Sequence, residues 1–502
     1  MRTTPVRPSL LTLLCVASAC APQNTISSRP NILLVSYDGL RADHAGVYGN
    51  PNQPTPTLDR LASEGIRFES SFSQSNESLY SHASMLTGRY VEELAYLDYF
   101  SFTVPDSALL VSEVLDLYGY NTAAFVAGAH LRAEYGFKQG FSVYDDRHDF
   151  GSMFDKAREA MEWLDHRATK GRDGDPRPFF LVLQAYDCHR PYLRSGPYYH
   201  ALDTEYEGMA DPMLVQRFSV DQTYNGVYYR DFPTQILPHL GGVRTQDPYG
   251  NERIAAWAAS HQDGTRLTET DINHIRAHYD SGVFSLDIQL GLFLEGLEQR
   301  GRLNDTLVIL TADHGEDLQE HGYFDHRSNL RDTTTRVPLV LWGAGIPPEA
   351  RGTVRTDLTQ AIDIVPTILG AAGIQAPANA RGRNLLHDTS DFDGPIFQVG
   401  VLPQFSARTR THRLVFFGFP ATFPLLDLAL EVAPLDPRWF KLFDLRTDPE
   451  EQTNVVTSQP ETADALRRDL LRWHRSLPIS TEWGRQVDNP GLQALLTSRG
   501  YW

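Results

Sequence analysis

Asn31-Ile32-Leu33-Leu34-Val35-Ser36-Tyr37-Asp38-Gly39-Leu40-Arg41-Ala42-Asp43-His44 joins a continuous apolar run to an acid and a glycine. Such a run, without polar alternation, reads as a strand buried on both faces. The pattern returns far downstream in Leu307-Val308-Ile309-Leu310-Thr311-Ala312-Asp313-His314-Gly315-Glu316-Asp317. Phe179-Phe180-Leu181-Val182-Leu183-Gln184-Ala185 is a third apolar strand, and residues 122–126 and 338–342 read as two more. Between them lie helical segments at 57–64, 81–86, 107–118, 153–167 and 271–300. The alternation predicts an α/β fold: a mostly parallel central sheet sandwiched by helices. Sites in such sheets lie beyond the carboxyl ends of the strands. Asp38, His189 and the Asp313-His314 pair all fall there.

A further stretch supplies a candidate nucleophile. Ser75-Asn76-Glu77-Ser78 is polar and runs into Leu79-Tyr80-Ser81-His82-Ala83-Ser84-Met85-Leu86-Thr87-Gly88-Arg89, which reads as the start of a helix. A hydroxyl at a helix N-terminus meets unpaired N–H groups and the positive end of the helix dipole. That setting suits anion binding and an activated oxygen nucleophile. It also suits an ordinary N-cap serine. Asp38, Asp313 and His314 add two carboxylates and an imidazole, a donor set for one divalent cation. Carboxylates suit Ca²⁺, Mg²⁺ or Mn²⁺, and the histidine tilts the set toward Mn²⁺ or Zn²⁺.

These three stretches, in this order, resemble the sulfatase family of the alkaline-phosphatase superfamily. The resemblance runs from about residue 29 to residue 476 and implies an alkaline-phosphatase-like fold, a single metal site around one nucleophile, and hydrolysis of sulfuric esters. The family pattern places Cys or Ser at the nucleophile and ends in Leu-Thr-Gly-Arg; Ser78 and Leu86-Thr87-Gly88-Arg89 match it. Tyr80 and His82 replace a proline and an arginine that the formylglycine-forming enzymes read, and Ser81-His82 resembles a branch with Ser or Thr as nucleophile. Gly39 stands where many members carry a second aspartate, and Gly128 where a lysine is expected. The resemblance implies site roles for His82 and His130, for His189 on the leaving-group side, and for His326 near the anionic group; His321 reads as supporting or structural. An unmodified serine sulfate lacks the aldehyde-forming exit open to formylglycine, so Ser78 keeps phosphate and phosphonate esters open as substrates beside sulfate esters. A non-catalytic binding protein on the same fold is the third reading. The expected partner is a small-molecule or glycan ester.

With 502 residues, 41% hydrophobic, the chain is long enough for a large core and more than one domain. Its formal net charge of -18 argues against a general nucleic-acid binder and means that an anionic substrate needs a local positive site. Residues 1–19 read as a signal peptide: Arg2 and Arg7, a short apolar run, then Ala17-Ser18-Ala19. Cys20 follows, as in a bacterial lipoprotein box, so export to the periplasm and lipid anchoring at Cys20 are both open, the anchor being the one expected membrane link. Cys188 would then be a lone buried thiol. After a linker at 20–29, a catalytic domain is expected over 30–390. Residues 193–264, rich in Tyr, Asp, Gly and Pro, read as an insertion over the site or as a packed surface excursion. Residues 391–502 are expected to form a small antiparallel sheet with a helix, with strands at 396–399, 413–417 and 441–445 and the helix at 461–473.

Overall fold

A computed structural model describes residues 29–94, 102–166, 177–190, 192, 268–322, 324–327, 329–401, 404–418 and 426–479. The leader, Cys20 and the insertion expected over 193–264 lie outside the described residues. The large sheet uses β1 (Asn31–Tyr37), β2 (Ile66–Phe72), β3 (Asn121–Phe125), β4 (Val143–Asp145), β5 (Phe179–Ala185) and β6 (Thr306–Ala312). After the two-residue strands β7 (Asp317–Leu318) and β8 (Phe324–Asp325), it is completed by β9 (Arg336–Gly343) and β10 (Thr353–Gln360). Their order is β10-β2-β9-β6-β1-β5-β3-β4. The run β6-β1-β5-β3-β4 is parallel throughout, and β9 lies antiparallel between β6 and β2. The sheet is therefore mixed but mostly parallel, as the apolar strands predict.

Side-chain alternation sends each central strand into two cores. Ile32, Leu34, Phe180, Val182 and Ile309 enter one apolar cluster; Leu33, Val35, Leu181, Leu183 and Leu310 enter the other. The second cluster is closed by α1 (Pro56–Glu64) together with the helices Met153–His166 and Glu269–Gln299. The first is closed by α2 (Ser78–Thr87), α3 (Val111–Leu117) and the helix Ile364–Ala371. Each fully buried Leu, Val or Ile contributes about 1.5–3 kcal/mol, so burial on both faces fixes the strand register. That register matters at the strand ends. Tyr37 pairs with Ala185 on one side and Ala312 on the other, so Asp38 and Asp313 leave the sheet side by side.

Two expected helix starts move most. The helix expected over 107–118 starts only at Val111, after Pro105 and a turn. The one expected over 81–86 begins at Ser78, which puts the serine inside the first turn. β2 and β10 were not expected, because neither is continuously apolar: β2 alternates in burial, and β10 is an edge strand with a half-exposed first half.

The C-terminal part forms a four-stranded antiparallel sheet of β11 (Ile396–Val399), β12 (Gln404–Arg408), β13 (His412–Phe417) and β14 (Phe440–Asp444), in that order. A helix over Pro460–Ser476 packs on it. β12, Gln-Phe-Ser-Ala-Arg, is an additional strand between two expected ones. The small sheet shares the first apolar cluster through Val399, Phe405, Leu414 and Phe416. Buried Arg413 ties it to the large sheet, binding Asp332 and the Leu330 carbonyl and lying 2.8 Å from Glu451, while Arg408 pairs with Asp332 at 3.1 Å. Among the described residues no helix is long and apolar enough to cross a membrane.

Candidate active site

The strand ends supply the acids. Asp38 follows β1 directly, and its backbone N–H bonds the Ala185 carbonyl at 3.1 Å. Gly39 turns the chain away with φ of 78°, a left-handed conformation that glycine adopts at no steric cost. Its N–H donates to Asp313 Oδ1 at 3.1 Å, and the His314 N–H donates to the same oxygen at 2.8 Å. Gln184, the one long polar side chain in β5, donates to Asp38 Oδ2 at 2.9 Å and accepts from the Ala127 N–H at 2.9 Å. Each carboxylate thus has one oxygen fixed by the protein. Asp38 Oδ1 and Asp313 Oδ2 have no hydrogen-bond partner among the described residues.

His314 completes the group. Its Nδ1 lies 2.8 Å from the Gly315 carbonyl, which only accepts, so Nδ1 carries the hydrogen and Nε2 presents a lone pair. That Nε2 is 3.5 Å from Asp313 Oδ2 and 3.8 Å from Asp38 Oδ1. Ligand atoms of Asp38, Asp313 and His314 all lie within 4.8 Å of one another, and all three residues are buried. Burial and the Asp313 charge push the Asp38 carboxyl well above its ordinary range, which a cation between the two acids would reverse. Two unclaimed carboxylate oxygens and a bare imidazole nitrogen fit a divalent cation. Gly315 allows the turn that aims them: a Cβ there would sit 2.1 Å from the Thr333 carbonyl oxygen.

Ser78 faces this group. As first residue of α2 it is fully buried, and its Oγ donates to Asp38 Oδ2 at 3.1 Å and lies 3.2 Å from His314 Nε2. Glu77 is the N-cap, its Oε2 accepting from the Leu79 N–H at 2.9 Å. Gly88 ends the helix in the left-handed region.

Of the other expected site histidines, His82, His189 and His326 reach Ser78, Asp38 and His314, and His130 reaches Glu77. His82, one turn beyond Ser78, donates Nδ1–H to the Ser78 carbonyl at 2.8 Å and meets Ser36 Oγ at 3.0 Å. Burial lowers its pKa, so it is a neutral prop of the nucleophile's turn. His130 Nδ1 lies 2.6 Å from Glu77 Oε1. His189 Nδ1 lies 2.6 Å from the Arg190 carbonyl, and its Nε2 is 3.8 Å from Asp38 Oδ1. Burial, reinforced by the Arg190 charge, holds His189 well below its ordinary pKa. His326 stacks on His314 with centroids 4.2 Å apart, and its Nδ1 is 3.3 Å from Glu316 Oε2. Burial and the neighboring His314 keep it neutral as well. His321 instead pairs with Asp317, away from Ser78.

Glu77, Gln184, Ser36 and Glu316 escaped the sequence reading. Gln184 and Ser36 carried a signal, as polar residues near the ends of otherwise apolar strands. Glu77 was hidden in a polar run. Cys188 is buried, donates to the Asp38 carbonyl at 3.1 Å, and is kept protonated by burial and the nearby Asp38 charge.

The family model for sulfatases matches residues 30–374, well over half of the chain. The chain belongs to the sulfatase family. Among curated members, an N-acetylglucosamine-6-O-sulfatase of Bacteroides thetaiotaomicron is 26% identical over 426 residues, covering 75% of this chain and 73% of its own length. The arylsulfatase K of Bos taurus is 30% identical over 466 residues, with 88% and 81% covered. Among solved members of similar fold, the phosphonate monoester hydrolase of Agrobacterium radiobacter superposes with a TM-score of 0.64 at 20% identity, covering 89% of this chain and 96% of its own. The family supports assignment of this chain as a hydrolase.

Proposed function

We propose that this sulfatase-family chain hydrolyses sulfuric esters of a small molecule or glycan, using the Ser78 oxygen as nucleophile beside a divalent cation held by Asp38, Asp313 and His314. The observation that carries the reading is the placement of Ser78 Oγ, at 3.1 Å from Asp38 Oδ2 and 3.2 Å from His314 Nε2, on the N-terminal turn of a buried helix. When bound, the cation supplies positive charge that acidifies the hydroxyl and balances an oxyanion. Asp38 Oδ2 takes the Ser78 hydrogen bond and so turns an oxygen lone pair toward the substrate. The N-terminal N–H groups of α2 add positive potential where the anion sits. His189 and His326 line the other side; each commits its Nδ1–H, to the Arg190 carbonyl and to Glu316, so a neutral ring accepts through Nε2 from a substrate hydroxyl and donates there only after taking up a proton.

Relatives that act on glucosamine sulfates make a sugar sulfate the first substrate to try. Phosphonate and phosphate esters are the second reading, favored by Tyr80 and His82 where the formylglycine-forming enzymes read a proline and an arginine. A non-catalytic binder would have no use for a buried serine aimed at a metal-binding group. Side-by-side turnover of aryl sulfate, glucosamine 6-sulfate, aryl phosphate and aryl phosphonate by metal-loaded protein and its Ser78→Ala variant tests the reading. Mass analysis of the Ser78 peptide tells hydroxyl from formylglycine. Full activity in Ser78→Ala would overturn the nucleophile assignment, and no turnover of any ester with metal bound would favor the binder.

A further inference from the structure

Glu77 and His130 come from segments fifty-three residues apart and meet in a buried contact, Nδ1 to Oε1, of 2.6 Å. The two oxygens of Glu77 have different tasks. Oε2 caps α2 through the Leu79 N–H, and Oε1 takes His130. A carboxylate only accepts, so the His130 Nδ1 carries a hydrogen and the opposite ring edge, Nε2, faces away from Glu77.

The loop that delivers His130 is built for this contact. Gly128 has φ of 63° and Ala129 φ of 48°, the latter a left-handed conformation that alanine rarely adopts. The Ala129 N–H is held by Asp149 Oδ1 at 2.9 Å, and Asp149 is gripped in turn by Arg132 at 2.6 Å. A Cβ at Gly128 would lie 2.3 Å from Asp149 Oδ1, so this backbone leaves no room for a side chain there. The chain holds a strained turn whose product is the placement of one imidazole against the residue that precedes Ser78.

We propose that Glu77 is a positioning residue for hydrolysis: by binding the His130 Nδ1–H and the α2 N-terminus together, it locks one tautomer and one ring orientation of His130 against the first turn of the helix that carries Ser78. The proposal rests on the Ser78 reading above. It concerns a residue that acts through another, so its loss lowers turnover more than substrate binding.

The test uses the full-length, metal-loaded protein and whichever ester it turns over, with Ser78→Ala, Glu77→Gln, Glu77→Asp, His130→Gln and the Glu77→Gln/His130→Gln double variant. Glutamine keeps an oxygen for the Leu79 N–H, so the cap survives while the acceptor for His130 is lost. Glu77→Gln is expected to lower kcat by about 100-fold with KM changed less than about threefold. Glu77→Asp is expected to recover about tenfold of that loss, and the double variant to be no worse than His130→Gln by more than about threefold. Wild-type kcat in Glu77→Gln overturns the proposal, as do losses that multiply in the double variant. If Ser78→Ala stays active, the nucleophile reading fails instead, so the two failures are distinct. Should Glu77→Gln not fold, nitrogen-15 histidine spectra of the wild-type protein decide. A low-field Nδ1 proton that disappears in His130→Gln supports the lock, and a bare Nδ1 on His130 overturns it.

Discussion

Two walls of the site are built by different means. The acidic wall, Asp38 with Asp313 and His314, stands on the ends of β1 and β6, whose register is set by cores on both faces of the sheet. The imidazole wall, His130, His189 and His326, hangs on turns beyond the strands, each ring held at Nδ1 by a backbone carbonyl or a carboxylate. Strand ends give position through many weak apolar contacts, and one lost contact changes little. Turns give position through a few strong ones, and one lost contact changes a great deal. The acidic wall should therefore be robust in place and sensitive only in its own ligands, while the imidazole wall should be sensitive one step back from the rings.

The largest effect should come from a ligand itself. Asp313→Asn is expected to reduce ester turnover on the order of a thousandfold and to release the metal, read by elemental analysis beside a kinetic assay. Retained metal and activity would remove the acidic wall from the site. Gly315→Ala probes the backbone beneath it. The added methyl, 2.1 Å from a carbonyl oxygen, should destabilise the fold by about 1–3 kcal/mol, seen as a lowered urea midpoint. An unchanged midpoint would show that the turn can open. Gln184→Ala tests how far the acidic wall depends on a neighbor that only steadies Asp38. A loss of about 10–100-fold in metal affinity by titration is expected, and none if the sheet alone fixes Asp38.

The smallest effect concerns acid. Arg41, just past Asp38 on the β1 side, pairs with Glu320 at 2.7 Å. Burial raises the Glu320 pKa and the Arg41 charge outweighs it, for a net fall from 4.5 to about 2. A carboxyl lowered on folding adds stability that is complete above 4.5 and is lost as pH falls toward 2. Glu320→Gln should flatten the decline of the urea midpoint over that window, and parallel declines in variant and parent would refute the linkage.

The acidic wall and most of the sheet were legible because unbroken apolar runs leave few alternatives, and a charged residue at the end of such a run must be used or paired. Asp38, Asp313 and His314 were found in this way and do converge. What escaped depends on contacts between distant segments. Nothing in Glu77 announces His130, and one partner of His82 is Ser36, inside β1. β10 was missed because an edge strand can be polar on its open face. The start of α2 was read late because Glu77, not a shorter N-cap side chain, caps it.

The grip of Arg413 and Arg408 on Asp332 and Glu451 bears on how this gene product can be cut. Asp332 lies in the short stretch just before β9, and both arginines come from the small sheet. Removing everything from Ile396 onward would leave Asp332 without either of these arginines, and would lay bare the apolar underside of the first core. A trimmed version ending near residue 390 should consequently precipitate when expressed alone, although every proposed ligand and the serine lie upstream of the cut.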